Sequence, residues 1–265
     1  MKRRAFIAGL GSAAATALTF LGPVRAQDLM RYLDLTSPDM TSAEMTRADV
    51  ENALASHQTD FSGKKLSGLD LSGLDLSGVQ LRAARLNKTK LAGAKLDRAV
   101  LDQAWLLGAD LSHASLRNAS MFGAQMRGAK LDDADLSRAR IAADLTGASL
   151  VGAVLTNAEL GADMKNQSMG LMRAVLRSAD LTRANLKGAD LSRADLEFAT
   201  LSHTDLTGAS LRGAQLGGAK LTAPILNGAD FADADLASAR LVNPIGLDAA
   251  KNFDRAINLD RLQHE

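Results

Sequence analysis

From Phe61 to Leu241 a large apolar residue returns at every fifth position, with a small residue two places before it. The stretch Ala109-Asp110-Leu111-Ser112-His113, then Ala114-Ser115-Leu116-Arg117-Asn118, shows the unit: small, polar, Leu, and two polar or small residues. Of 36 such centres 31 are Leu, the others being Phe61, Met121, Met126, Ile141 and Phe231, and 27 have Ala two places earlier. A period of five fits neither the turn of a helix nor the alternation of a free-standing strand. Each unit therefore predicts one side of a stacked coil, with the centre and the small residue turned inward and the other positions outward. Gly recurs in the last position, as at Gly68, Gly108 and Gly218, where a corner takes positive φ; units ending in Arg, His or Asn predict a second kind of turn.

The motif of Ala, Asp or Asn, Leu and two variable residues resembles that of the pentapeptide-repeat proteins, over about two thirds of the chain. The resemblance implies an all-β fold, a right-handed quadrilateral parallel β-helix with four pentapeptides per coil. Two irregularities interrupt the count. Ile141 to Leu145 is one residue short, and Leu160 to Leu171 is one residue longer than two units. The two shifts cancel, so the 180 residues from Phe61 to Leu241 make nine coils of twenty with the faces in register on both sides, a rod on the order of 45 Å long at the spacing of parallel strands.

Outside residues 61–241 the pattern changes. Residues 27–60 hold a predicted capping helix near 46–57, because Thr46 is a good N-cap, Asp49 follows three residues later, and Met45 can staple onto Val50. After Leu241, Pro244 and Gly246 break the register, and Leu247, Phe253, Ile257 and Leu259 can cover the last coil. A closing helix or irregular cap is expected at about 247–262 within the C-terminal segment 242–265, so that short helical caps seal both ends.

Residues 1–26 read as an export signal. Lys2-Arg3-Arg4 precedes an uncharged stretch from Ala5 to Val24, and Val24-Arg25-Ala26 is a small-residue cleavage site. Arg3, Arg4 and Phe6 make the start resemble the twin-arginine class, with the Sec route as the alternative. An uncleaved anchor is the competing reading, since about twenty apolar residues span a bilayer. Removing this segment takes Lys2, Arg3, Arg4 and Arg25 and no acid, leaving 27 basic against 30 acidic residues, a net of −3. That balance gives no footprint for nucleic acid and no stable membrane insertion after signal removal. The chain has no Cys, hence no disulfide or thiolate chemistry.

No catalytic constellation emerges, and neither a metal nor a cofactor is expected. His113 and His203 fall on different faces by the coil count, Gly217-Gly218 lacks the Lys of a phosphate loop, and the Ser residues occupy repeated outward slots. Asp70, Lys90, Asp110 and Lys130 should form an outward ladder of alternating sign, and Asp75 with Lys95 should begin another. Against these polar slots Val100, Trp105, Leu107 and Phe122 stand out as a candidate partner patch, Trp105 being the only Trp. Arg85 should stack one coil from Trp105 as a cation-π pair. A second candidate is the interruption at 161–170, with Asp163, Lys165, Asn166 and Gln167; its plainer reading is a correction of phase.

These features predict an exported, non-enzymatic scaffold or protein-binding module of the bacterial cell envelope, periplasmic or secreted, with a protein partner that includes a second copy of the chain. The alternative is the class of pentapeptide-repeat proteins that mimic DNA and bind gyrase or topoisomerase. In its quinolone-resistance members, loops projecting from the coil help protect gyrase. The export signal and the mixed charge ladders argue against that alternative.

Overall fold

A computed structural model describes residues 34–162 and 172–264. The chain divides into two units, Met1–Ser37 and Pro38–Glu265. Of the first, only the turn at 34–37 is described, in which the Asp34 carboxylate accepts from Thr36.

The second unit opens with the short helix α1 (Pro38–Thr41), after which Ala43 bridges antiparallel to Leu66. Helix α2 (Arg47–Ala55) starts where the sequence places a cap. Thr46 accepts from the Asp49 N–H, and the Asp49 carboxylate accepts from the Thr46 N–H at 2.8 Å, so two orphan donors are satisfied reciprocally. Val50 and Ala53 turn inward onto the first coil, with Val50 1% exposed. Arg47 ties the helix down by donating to the carbonyls of Asp70 and Ser72 at 3.1 and 3.2 Å.

The solenoid follows. The residue before each centre pairs in parallel with its counterpart one coil on, which builds four ladders. Side 1 begins Asp60, Gln80, Val100, Ser120, Arg140; side 2, Lys65, Arg85, Trp105, Gln125, Asp144; side 3, Asp70, Lys90, Asp110, Lys130, Ser149; side 4, Asp75, Lys95, Ser115, Asp135, Val154. Each rung uses two bonds, as where Leu111 N–H donates to the Lys130 carbonyl at 2.7 Å and Lys130 N–H to the Ala109 carbonyl at 2.9 Å. Only on side 3 do rungs lengthen into strands, β1 (Lys220–Thr222), β2 (Arg240–Val242) and β3 (Gln263–His264), parallel in that order. The inward Leu and Ala columns form one continuous core, with Leu91, Leu111 and Leu131 and the small residues two places before them, Thr89, Ala109 and Ala129, all 0% exposed. Each such Leu contributes about 1.5–3 kcal/mol.

The corners are more uniform than the sequence suggests. Ala114 N–H closes the turn onto the Leu111 carbonyl, and the residue between, His113, sits at φ 59°, close to Gly108 at 60° and Asn118 at 57°. Two kinds of turn were expected, but the sign of φ is the same with or without Gly. His113 N–H must also reach the Asp132 carbonyl of the next coil at 2.8 Å, and these two bonds together hold the corner in the left-handed region whatever side chain it carries.

The two irregularities do not cancel. The short unit drops the left-handed corner residue yet keeps its rung, since Asp144 pairs with Gln125. Across the long stretch the described pairs pass from side 1 at Glu159 to side 2 at Val175. Ala162 N–H still bonds to the Ser192 carbonyl of the next coil at 3.0 Å, and Ala174 N–H closes the corner between sides 1 and 2 onto the Leu160 carbonyl at 2.9 Å. The side 2 rung that follows Glu159 of side 1 is Val175, before Leu176, as its pairing with Asp144 shows. Phe61 and Leu241 therefore lie on sides 1 and 3, eight and a half coils apart and not nine.

The closing helix is not formed. The chain winds a further coil of six-residue sides, in which Ile245, Lys251, Ile257 and Gln263 pair with Ile225, Asp230, Asp235 and Arg240. Gly246, Asn252 and Asn258 take left-handed φ of 71°, 53° and 60°, each starting a single 3-10 turn at Leu247–Ala249, Phe253–Arg255 and Leu259–Arg261. Left-handed residues at this spacing prevent a helix from propagating. Asn252 and Asn258 bond back to the Asp230 and Asp235 carboxylates at 2.8 and 2.7 Å, and Phe253 meets Phe231 edge-on at 5.3 Å.

Candidate functional site

Side 2 and its two corners collect most of the candidate residues. Trp105 is a rung of side 2, between Arg85 and Gln125. Leu107 stands at the corner toward side 3 and Phe122, one coil on, at the corner toward side 1, so the two frame the Trp105 side. Val100 belongs to side 1 and lies around that corner. All four point outward but are half-buried, and the freely exposed large apolar residues are elsewhere: Phe198 at 61%, Ile245 at 52%, Ile257 at 49% and Leu35 at 39%. Neighbouring rungs about 4.8 Å away shade any outward side chain.

The backbone beneath the patch is supported in an unusual way. Where Asp or Asn stands before the centre, its side chain accepts the N–H two residues on, as Asp110 does from Ser112 at 3.0 Å and Asp180 from Thr182 at 2.9 Å. The frequent Asp of the motif is thus first a corner cap, a role the charge-ladder reading missed; the spacing of Asp before Ser or Thr was its signal. Trp105 and Ser120 cannot serve in this way. For them the coil below substitutes, with the buried Asn87 accepting from Leu107 N–H at 3.0 Å and Asp102 from Phe122 N–H at 3.0 Å.

Beyond Gln125, side 2 is closed. Asp144, Val175 and Asp195 are successive rungs only 5%, 7% and 4% exposed. Arg127 donates to Asp144 at 2.6 Å, and Arg177 to Asp195 at 2.7 Å and to Glu197 at 2.7 Å. The Asp195 carboxylate holds the Arg177 guanidinium pKa above its ordinary value. Arg173, just before re-entry, reaches Gln215 at 3.0 Å. Its neighbour Met172 approaches Gly123, where an added Cβ would lie 3.3 Å from its methyl carbon. The re-entering chain therefore touches the corner that carries Phe122.

Asp163, Lys165, Asn166 and Gln167 lie outside the described residues, as do Arg3, Arg4 and Phe6 of the export motif. His113 and His203, placed on different faces by the coil count, share the corner after side 3, because the rungs before them, Asp110 and Thr200, belong to the same ladder. They are four coils apart, about 19 Å, too far for one metal ion. Among the described residues no His, Asp and Glu cluster could hold a metal, and no helix is long and apolar enough to cross a membrane. The charge ladder of side 3 is present, with Lys90 and Asp70 at 3.5 Å, and Lys95 meets Asp75 at 3.8 Å on side 4.

The family model for pentapeptide repeats matches in eight copies, over residues 65–103, 106–138, 141–165, 174–213, 189–223 and 214–243. Among solved structures, HetL, a pentapeptide repeat protein involved in heterocyst differentiation regulation from the cyanobacterium Nostoc sp. strain PCC 7120, is 32% identical, covering 82% of this chain and 99% of its own, with a TM-score of 0.33. QnrB1, a plasmid-mediated fluoroquinolone resistance protein, is 18% identical over 76% of this chain and 91% of its own, with a TM-score of 0.42. A pentapeptide repeat protein of the Arabidopsis thaliana thylakoid lumen is 26% identical over 63% of this chain and 68% of its own, at a TM-score of 0.13. No curated protein matches the sequence. With its motif matched over more than half its length and its rungs stacked one coil apart, the chain belongs to the pentapeptide-repeat family.

Proposed function

We infer that this protein is an exported, non-enzymatic protein-binding module of the bacterial cell envelope, its coil wound right-handed, and that Trp105, Leu107 and Phe122 on side 2 form its contact surface. The observation that carries this reading is the aromatic rung at Trp105, between Arg85 and Gln125, where no rung carboxylate caps the corner and Asn87 of the coil below caps Leu107 N–H instead. A side chain that removes a cap and stays half in solvent serves packing poorly, whereas a rigid aromatic on a fixed scaffold suits an interface. Export rests on the sequence of residues 1–26.

Photocrosslinking from position 107 in intact cells, combined with fractionation, tests both parts. A periplasmic adduct with a protein is expected, lost in Trp105→Ser/Phe122→Ser. Because both side chains are half-buried, that variant should also melt a few degrees lower. Mature protein retained in the cytoplasm would overturn the export reading, and an adduct unaffected by the double substitution would overturn the patch. The DNA-mimic alternative requires a continuous acidic face, which the Asp70, Lys90, Asp110, Lys130 alternation does not provide.

A further inference from the structure

Ser67, Asn87 and Leu107 follow the side 2 rungs Lys65, Arg85 and Trp105, and stand one above another at the corner toward side 3. A strap, residues 38–44, crosses the first two of them. Ala43 bridges antiparallel to Leu66, Glu44 N–H donates to the Lys65 carbonyl at 2.8 Å, and the Met40 carbonyl accepts from the Asn87 amide at 3.0 Å. The strap's carboxylates meet the basic start of side 2. Glu44 lies 3.0 Å from Lys64, and Asp39 accepts from Lys65. Lys65, and after it Arg85, draws the Asp39 carboxyl below its ordinary pKa.

The strap is lightly held. Helix α1 buries no residue of its own, and the ion pairs that fasten it are open to solvent, where such pairs contribute little. At the same place the Ser67 hydroxyl, in a residue 4% exposed, and the Arg85 Nε are buried with no hydrogen-bond partner among the described residues. A covering that leaves polar atoms unpaired is held less tightly than one that matches them. Asn87 also has a second role. Its Oδ1 accepts from Leu107 N–H at 3.0 Å, so one side chain holds both the strap and the backbone of the contact patch.

We propose that side 2 and its corner, from Lys65 to Leu107, bind an extended segment of a partner protein that carries an apolar residue followed by acidic ones, and that the strap occupies the basic half until the partner displaces it. The inference rests on the contact reading of Trp105 and Leu107 above and names the chemistry of what they meet. Charge and reach select this occupant. Lys64, Lys65, Arg85 and Lys88 flank the lower half, and the strap shows that a carboxylate and an extended N–H satisfy it. Trp105 lies two coils above Lys65, about 10 Å, the span of three extended residues. A segment running in the same sense as the strap therefore sets an apolar residue on Trp105 and, three residues later, a carboxylate beside Lys65 and Arg85.

Asp39→Asn/Glu44→Gln in the full chain loosens the strap without changing its bulk. By fluorescence anisotropy a fluorescein-labelled peptide of residues 38–45 should bind this variant about fivefold more tightly than the unaltered protein, and the peptide carrying the same two substitutions should lose that gain. Adding Lys65→Glu to the loosened protein should abolish binding, and a peptide with Asp39→Lys should restore it, which separates a lost charge from a lost fold. Loosening should also raise the photocrosslinked adduct at position 107 about threefold in cells. Equal peptide binding to both proteins, or binding to neither, would overturn the strap, while an adduct at position 107 that is lost in Trp105→Ser/Phe122→Ser would still uphold the patch. An adduct that loosening leaves unchanged would overturn the strap as well. No adduct in either protein would overturn the patch reading and with it the apolar half of the proposal, the peptide result then deciding the basic half alone.

Discussion

Replacing Leu111 tests the register on which the rest of the structure depends. Its side chain is 0% exposed on side 3, between the Leu91 and Leu131 coils, and its N–H bonds to the Lys130 carbonyl at 2.7 Å. Truncation to Ala removes the transfer energy of the lost carbons and leaves a cavity in a narrow core whose four backbone walls cannot collapse, about 2–5 kcal/mol. In a protein of this size that lowers Tm by roughly 4–20 °C. Leu111→Asp should cost more, since the carboxylate would be desolvated with no cation in reach. One residue away, Asp110→Ala removes an acceptor from Ser112 N–H at 3.0 Å and from its hydroxyl at 2.7 Å, a turn cap worth about 0.5–2 kcal/mol. The expected order by thermal and urea melts is therefore Asp110→Ala, then Leu111→Ala, then Leu111→Asp. Equal losses at positions 110 and 111, or a larger one at 110, would refute the assignment of inward and outward slots.

Further outcomes follow from the same geometry. The carboxyls of Asp110 and Asp97 lie below their ordinary pKa of 3.8, held there first by hydrogen bonds from Ser112 and Arg117 respectively. Acid therefore protonates the unfolded chain more readily than the folded one, and Tm measured against pH should stay level above about pH 5 and fall below about pH 4; a rise on acidification would contradict these caps. Gly218→Ala should destabilise by about 1–3 kcal/mol in urea melts, because its φ is +66° and the new Cβ would lie 2.6 Å from the Phe198 ring. Phe198→Gly, at φ +60° and 61% exposed, should be neutral or slightly stabilising, and a loss above about 1 kcal/mol would show that the ring packs more than its exposure indicates. Arg3→Lys/Arg4→Lys should leave the precursor in the cytoplasm on fractionation, whereas normal export of that variant would support the Sec route.

What the sequence by itself determined is the direction of nearly every side chain. A five-residue period with Leu at the centre and Ala two before it admits one solution, and Leu111, Ala109 and their counterparts are inward throughout. It also determined the start of α2, because a capping box is local chemistry between Thr46 and Asp49. Tertiary structure decided which units stack. Spacing alone does not place Val175 of side 2 directly after Glu159 of side 1; backbone bonds to the coils above and below decide it, with Val175 N–H donating to the Ala143 carbonyl and Asp195 N–H to the Ala174 carbonyl. Leu247, Phe253 and Leu259, six apart and each followed by Asp, carried the signal of a wider final coil, yet only pairing with Ile225, Asp230 and Asp235 separates such a coil from a helix. The patch around Trp105 is legible by composition, but its half-burial and its borrowed caps from Asn87 and Asp102 are not. Those contacts join residues 20 apart along the chain, which only the winding brings together.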